Sequence, residues 1–151
     1  MQRTLLLPLL LLIGFAASPE VIAQEETDHD QVVRELLEAA EQGLAEAQVR
    51  LGRMYGLGEG VPKDHKEAVK WFRKAAEQGH ADAQNILGLM YANGEGVPED
   101  YIKAYMWMSL AKAQGEETAA GNMDIIKIQM TPAQIAKAQE LATEWWEEHN
   151  N

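Results

Sequence analysis

The chain says nearly the same thing twice. Residues 44–79 laid on residues 80–115 without a gap agree at 18 of 36 positions. The phrase Gly58-Glu59-Gly60-Val61-Pro62 returns as Gly94-Glu95-Gly96-Val97-Pro98. Shared positions include Ala47/Ala83, Gln48/Gln84, Leu51/Leu87, Gly52/Gly88, Tyr55/Tyr91, Asp64/Asp100, Ala68/Ala104 and Trp71/Trp107. The closing phrase is seen three times, as "AAEQG" at 39–43, "AAEQG" at 75–79 and "AKAQG" at 111–115. A period of this length marks stacked supersecondary units, none of which can bury its apolar face alone.

Each unit predicts two helices. In the first, Ala47, Leu51 and Tyr55 recur every four residues, with Met54 beside them, so one stripe is apolar. Gly58 stands where a left-handed C-terminal cap is needed, and Pro62 prevents simple continuation. Asp64 suits the N-cap of the second helix, with Glu67 placed to complete a capping box. Ala68, Trp71, Phe72 and Ala75 form that helix's apolar stripe, and Gly79 ends it. Gly52 and Gly88 fall inside helices, where glycine is worse than alanine by about 1 kcal/mol. Their shared register predicts a close approach of two helices, with Ala68 and Ala104 as the facing residues.

The ends depart from the pattern, as solenoid ends must. Residues 28–43 match only a second helix, with Leu36, Leu37 and Ala40 on its apolar face. Residues 116–151 fill a further, degenerate period. Ala119 and Met123 keep the first-helix stripe there, while Thr131, Pro132 and Gln134 announce a capped closing helix. That helix turns Ile135, Ala138, Leu141, Ala142 and Trp145 inward. The expected organisation is a leader at 1–23, a half-repeat helix at 24–43, repeats at 44–79 and 80–115, and a capping repeat at 116–151.

Composition limits what such a solenoid does. Arg3 precedes the apolar run Leu5–Ala17, the helix-breaking Pro19 and the small-residue end Val21-Ile22-Ala23. This is the layout of a cleavable secretory signal, cut after Ala23. The run is shorter than the roughly 20 residues a bilayer requires, so no membrane insertion is expected after cleavage. A periplasmic or secreted location follows. Net charge is −11, which argues against nucleic acid and anionic lipid and mildly favours basic partners. The absence of cysteine excludes disulfides, thiolate metal sites and thiol redox chemistry.

The repeat resembles the Sel-one-like repeat family, a relative of the tetratricopeptide repeat. "AEAQVRLGRMYGLGEGVPKDHKEAVKWFRKAAEQG" meets the family pattern throughout, and the second unit departs only at Lys112. The ending "MTPAQIAKAQELATEW" is similar to that of exported bacterial members. The resemblance implies an all-α, short right-handed solenoid of antiparallel helix pairs. It also implies a non-enzymatic scaffold for a protein or peptide partner, with no cofactor and no metal. A monomer is expected. In tetratricopeptide-type superhelices the first helices line the concave face. Their non-pattern residues are therefore the candidate contacts: Glu46, Val49, Arg53 and Leu57 from one unit, Asp82, Asn85, Leu89 and Asn93 from the next. This mix suits an extended or helical peptide.

Other chemistry has weaker support in the residues. "GLGEG" at 56–60 lacks the Gly-Lys-Ser/Thr of a phosphate loop and follows a helix rather than a strand. His29, His65, His80 and His149 have no metal-ligand spacing and suit a surface. Ser109 and Lys112 have the S-x-x-K spacing of penicillin-recognising enzymes, a β-lactamase-like activity known among cysteine-rich relatives. They lack an S-D-N or K-T-G companion. An envelope hydrolase using that pair is the alternative function, and an inhibitor or regulator of one envelope enzyme is a third. Finally, Lys63, Lys66, Lys70 and Arg73 on one helix face become Glu99, Ile102, Met106 and Ser109 in the second unit, and Lys74 becomes Leu110. A wet face has turned apolar. The expectation is that Ile125, Ile126, Ile128 and Trp145 fold over it, with a partner as the competing cover.

Overall fold

A computed structural model describes residues 19–150, with side chains from Asp30 onward. The described residues form seven helices: α1 (Pro19–Glu41), α2 (Ala45–Leu57), α3 (His65–Glu77), α4 (Ala81–Asn93), α5 (Tyr101–Ala113), α6 (Ala119–Lys127) and α7 (Pro132–His149). They contain no strand. The leader expected at 1–23 lies, for residues 1–18, outside the described residues. Pro19 opens α1 instead of breaking a helix, because a proline at the first helical position gives up no hydrogen bond.

The architecture is an all-α solenoid of antiparallel helix pairs. α2 pairs with α3 and α4 with α5, α1 lies on α2, and α3 lies on α4. α5 is covered by both α6 and α7. One core runs from Val49 and Phe72 through Leu87, Met90 and Met108 to Ala138 and Ala142. A smaller one holds Trp71, Leu51, Ala47 and Ala40, with Leu36 and Leu37 packed against it.

Local chemistry sets the pairs. Gly58 (φ 75°) and Gly94 (φ 66°) end α2 and α4 in the left-handed conformation. Asp64 caps α3 by accepting from the N–H groups of Lys66 and Glu67, and Asp100 caps α5 by accepting from Lys103. The expected Asp64–Glu67 capping box does not form. The Asp64 N–H donates instead to the Tyr55 carbonyl, and the Glu67 carboxylate pairs with Lys70. A full box does form at α7, where Thr131 and Gln134 exchange bonds of 2.8 and 3.2 Å.

The close approach at Gly52 and Gly88 is present, but the nearest facing side chains are Phe72 and Met108 rather than Ala68 and Ala104, with Ala104 meeting Gly88 through its carbonyl. A Cβ on Gly52 would lie 2.9 Å from the Phe72 ring, and one on Gly88 would lie 2.7 Å from Met108 Cγ. The approach is one helical turn further along, where a large side chain fills the space the glycine vacates. At Gly88 a backbone atom also comes near, the Ala104 carbonyl at 3.0 Å.

A buried glutamine ties each repeat to the helix before it and to its own closing turn. Gln48 Nε2 donates to the Ala40 carbonyl (3.0 Å) and Gln48 Oε1 accepts from Gln78 (2.7 Å). One period later Gln84 Nε2 donates to the Ala76 carbonyl (3.1 Å) and its Oε1 accepts from Gln114 (2.6 Å). Ala120 holds the next such position and has neither group. Gln84→Met keeps the volume and removes both bonds, so it should cost about 1–2 kcal/mol by urea titration. An unchanged midpoint would show that the latch adds no stability.

The apolar face of α5 is covered from within the chain. Ile102 and Met106 of α5, and Ile135 and Trp145 of α7, are each partly buried against the main core, α7 packs on α5, and Trp145 meets Trp107 edge-on at 5.8 Å. The matching face of α3 has no such cover, so Lys66, Lys70 and Lys74 remain exposed. Of the residues expected to form the cover, Ile126 is buried, whereas Ile125 and Ile128 are 67% and 83% exposed. α6 is a nine-residue helix whose one buried stripe, Ala119, Met123 and Ile126, excludes them.

Candidate functional site

Between α2 and α4 lies an open groove of about 380 Å³, lined by Gly52, Arg53, Gly56, Leu57, His65, Phe72, Ile86, Met90 and Glu95. Gly52 and Gly56 are four residues apart on one face of α2, so a strip of bare backbone runs along the groove. Phe72 comes up beneath Gly52. At Gly56 a Cβ would meet only the Ala68 methyl, at 3.8 Å. Ile86 and Met90 form the opposite wall. Leu57, 64% exposed, stands at the lip with nothing over it.

Charge marks the groove's edges. Arg53 Nη2 donates to Asp82 Oδ2 at 2.6 Å, joining α2 to α4. Both partners are substantially exposed, so the pair contributes under about 1 kcal/mol and acts mainly to hold register. A second link runs from His80 Nε2 to Glu46 Oε2 at 3.3 Å. His80 Nδ1 accepts from the Ala83 N–H, capping α4. That cap needs an unprotonated Nδ1, which places the ring proton on Nε2, donating to Glu46. His80 is thus a structural residue where a plain surface one was expected.

The eight candidate contacts fall into different places. Arg53 and Leu57 line the groove, Asp82 anchors Arg53, and Glu46 reaches His80. Asn93 is exposed and donates to Glu95 at 3.2 Å. Leu89 is half-buried against the main core. Val49 and Asn85 are corrections: they are 3% and 4% exposed and are withdrawn from any contact face. They share one repeat position, and it faces the next unit. Val49 enters the main core, and Asn85 donates to Thr118 and accepts from Asn122 of α6. Phe72, Ile86, Met90, Gly56 and Glu95 were missed. The one local signal for them is that Gly56 becomes Ala92, and Leu57 becomes Asn93, in an otherwise repeating stretch.

Ser109 is spent on its own helix. Its hydroxyl donates to the Tyr105 carbonyl at 2.7 Å. It lines a cleft of about 310 Å³ between α5 and α7 with Trp146 and Glu147. It sits within α5, where the neighbouring N–H groups belong to the helix ladder and offer no oxyanion donors. Among the described residues, no three His, Asp or Glu side chains converge as metal ligands, and no helix is long and apolar enough to cross a membrane. His149 stacks on Trp145 at 4.0 Å.

Comparison with known proteins agrees with this architecture. A family model described as Sel1 repeat matches residues 45–80 and 81–116. A protective antigen of uropathogenic Escherichia coli displaying an SLR fold superposes with a TM-score of 0.77 at 35% identity. That match covers 82% of this chain and 27% of the antigen, so this chain spans about a quarter of that protein. A Sel1 repeat protein from Oxalobacter formigenes superposes with a TM-score of 0.62 at 42% identity, covering 63% of this chain and 71% of that one. No curated protein sequence matches. Two repeats of the right period, folded as helix pairs and superposing on solved members, leave one assignment: the chain belongs to the Sel1 repeat family, whose fold is a typical non-enzymatic scaffold for protein–protein interaction.

Proposed function

We propose that this chain is an adaptor of the bacterial cell envelope that holds one protein partner on the face formed by α2 and α4. The observation that carries this is the groove itself: an apolar trough with Leu57 exposed at its lip. Contiguous apolar surface rimmed by polar groups is where soluble proteins meet partners. The opposite face of the same unit is lysine-rich and wet, with Lys66, Lys70 and Lys74 exposed. The charged, apolar and small-residue order of residues 1–23 supports export. The hydrolase reading has the Ser109–Tyr105 bond against it.

A photo-crosslinking side chain placed at Leu57, and separately at Lys70, tests both parts in the native cell. The expected result is a discrete protein adduct from position 57 and none from position 70. Mass spectrometry of the crosslinked chain should find it beginning at Gln24. Adducts from position 70 alone would remove the groove from this role, and a chain retaining residues 1–23 would remove the export assignment.

A further inference from the structure

We infer that the groove between α2 and α4 takes a cationic amphipathic segment of a partner protein. One apolar side chain sits over Gly56 between Leu57 and Met90, and a lysine or arginine beside it reaches Glu95. The inference rests on the proposed function and names the chemistry of what that face binds.

The apolar half follows from shape. Leu57, Phe72, Ile86 and Met90 present hydrocarbon, and Gly56 leaves the space of a missing side chain above its backbone. The vacancy belongs to this unit, because the equivalent residues in the next are Ala92 and Asn93. A small apolar pocket with few polar groups recognises a side chain by fit.

The cationic half follows from charge. The one cation lining the groove with a fixed position, Arg53, is already answered by Asp82. Glu95 has only the neutral Asn93 amide on its carboxylate. Glu59 holds the same position in the preceding turn and forms no ion pair. Both follow directly on helix C-termini, those of α2 and α4, where the aligned carbonyls concentrate negative potential. Neither helix carries a basic residue in its last turn to offset this. Lys63 and Lys66, the nearest lysines in sequence to Glu59, are exposed and pair with neither glutamate, and Lys103, the nearest to Glu95, pairs with Asp100 instead. A chain of net charge −11 repels acidic peptides and copies of itself and draws a basic segment.

The test is selection of a random dodecapeptide phage library on the purified chain at low salt, followed by titration of the enriched peptides as labelled synthetic probes. Enriched peptides should share a large apolar residue next to lysine or arginine. Gly56→Met fills the vacancy and should weaken them at least about tenfold. Glu95→Gln should weaken them about threefold, an effect that shrinks at high salt. Gly56→Met replaces a helical glycine by a better helix former, so its melting temperature should not fall below that of the parent. Leu57→Ser, at an exposed position, gives a second reading of the apolar contact that does not depend on filling the groove. The inference is overturned if no such class is enriched, if acidic peptides are, or if Gly56→Met and Leu57→Ser bind as tightly as the parent. A concentration-dependent dimer abolished by Gly56→Met would make a second copy the occupant and overturn it too. A cellular partner still crosslinked by the Gly56→Met chain would remove this groove while leaving the scaffold role intact.

Discussion

Removing residues 131–151 should leave a chain that aggregates or fails to fold. Those residues carry α7 and its Thr131–Gln134 capping box. α7 buries Ala138 and Ala142 completely or nearly so, and lays Ile135 and Trp145 against the main core. Without it, Trp107 loses its contact with Trp145 and α5 loses the helix packed along it. Each large apolar side chain buried is worth about 1.5–3 kcal/mol. Several such losses together reach the whole stability of a small domain, about 5–15 kcal/mol. Circular dichroism and gel filtration give the outcome directly. A truncated chain that stays helical, melts cooperatively and elutes as a monomer would mean that two repeats and α6 suffice.

Gly96→Ala should be the most damaging single methyl in the molecule. Gly96 has φ 71°, a region costing an L-residue about 1–2 kcal/mol. Its Cβ would also run into the carbonyl group of His65. That obstacle is backbone, and it belongs to the first residue of α3, held in place by the Asp64 cap. It cannot swing aside as a side chain would, so overpacking adds about 1–3 kcal/mol. The expected total is about 3 kcal/mol, or a fall of about 10 °C in melting temperature. Gly115→Ala separates the two causes. Gly115 has φ 89° but nothing within 4 Å of its Cβ site, so it should show only the conformational cost of about 1–2 kcal/mol. Equal losses at both positions would mean that the His65 contact does not matter.

These cases also show what a sequence of this kind discloses. Features set within one unit were legible: Gly58 as a left-handed cap, Asp64 as an N-cap, Thr131 and Gln134 as a box, the Ala47–Leu51 stripe. Each depends on residues fewer than five apart, and local periodicity encodes such spacings. Most of what failed depends on how one helix is placed against another; the exception is the Asp64–Glu67 box, whose carboxylate goes to Lys70 instead. Val49 and Asn85 look free on the helix surface, and only the approach of the following unit buries them. Gly52 was matched to Ala68 instead of Phe72 because the offset between paired helices is not written in either helix alone. His80 shows the same limit. Its capping of α4 is local, yet its ring is also held by Glu46 from the preceding unit. The groove was half-legible for this reason: Arg53 and Leu57 come from α2, but Ile86, Met90 and Glu95 required knowing what stands opposite.

The buried glutamines bear on how a chain like this changes length. Gln48 and Gln84 each reach back to a carbonyl of the helix before and forward to an amide that closes their own unit. A duplicated 36-residue segment spliced between Gly79 and His80 would bring matching plugs and sockets on both sides, so the scaffold can grow from its middle. At the far end Ala120 offers no plug, and α7 turns across α5. An inserted repeat would therefore find its glutamine bonds satisfied between the existing units, whereas the period after Gly115 lacks the glutamine that would continue them.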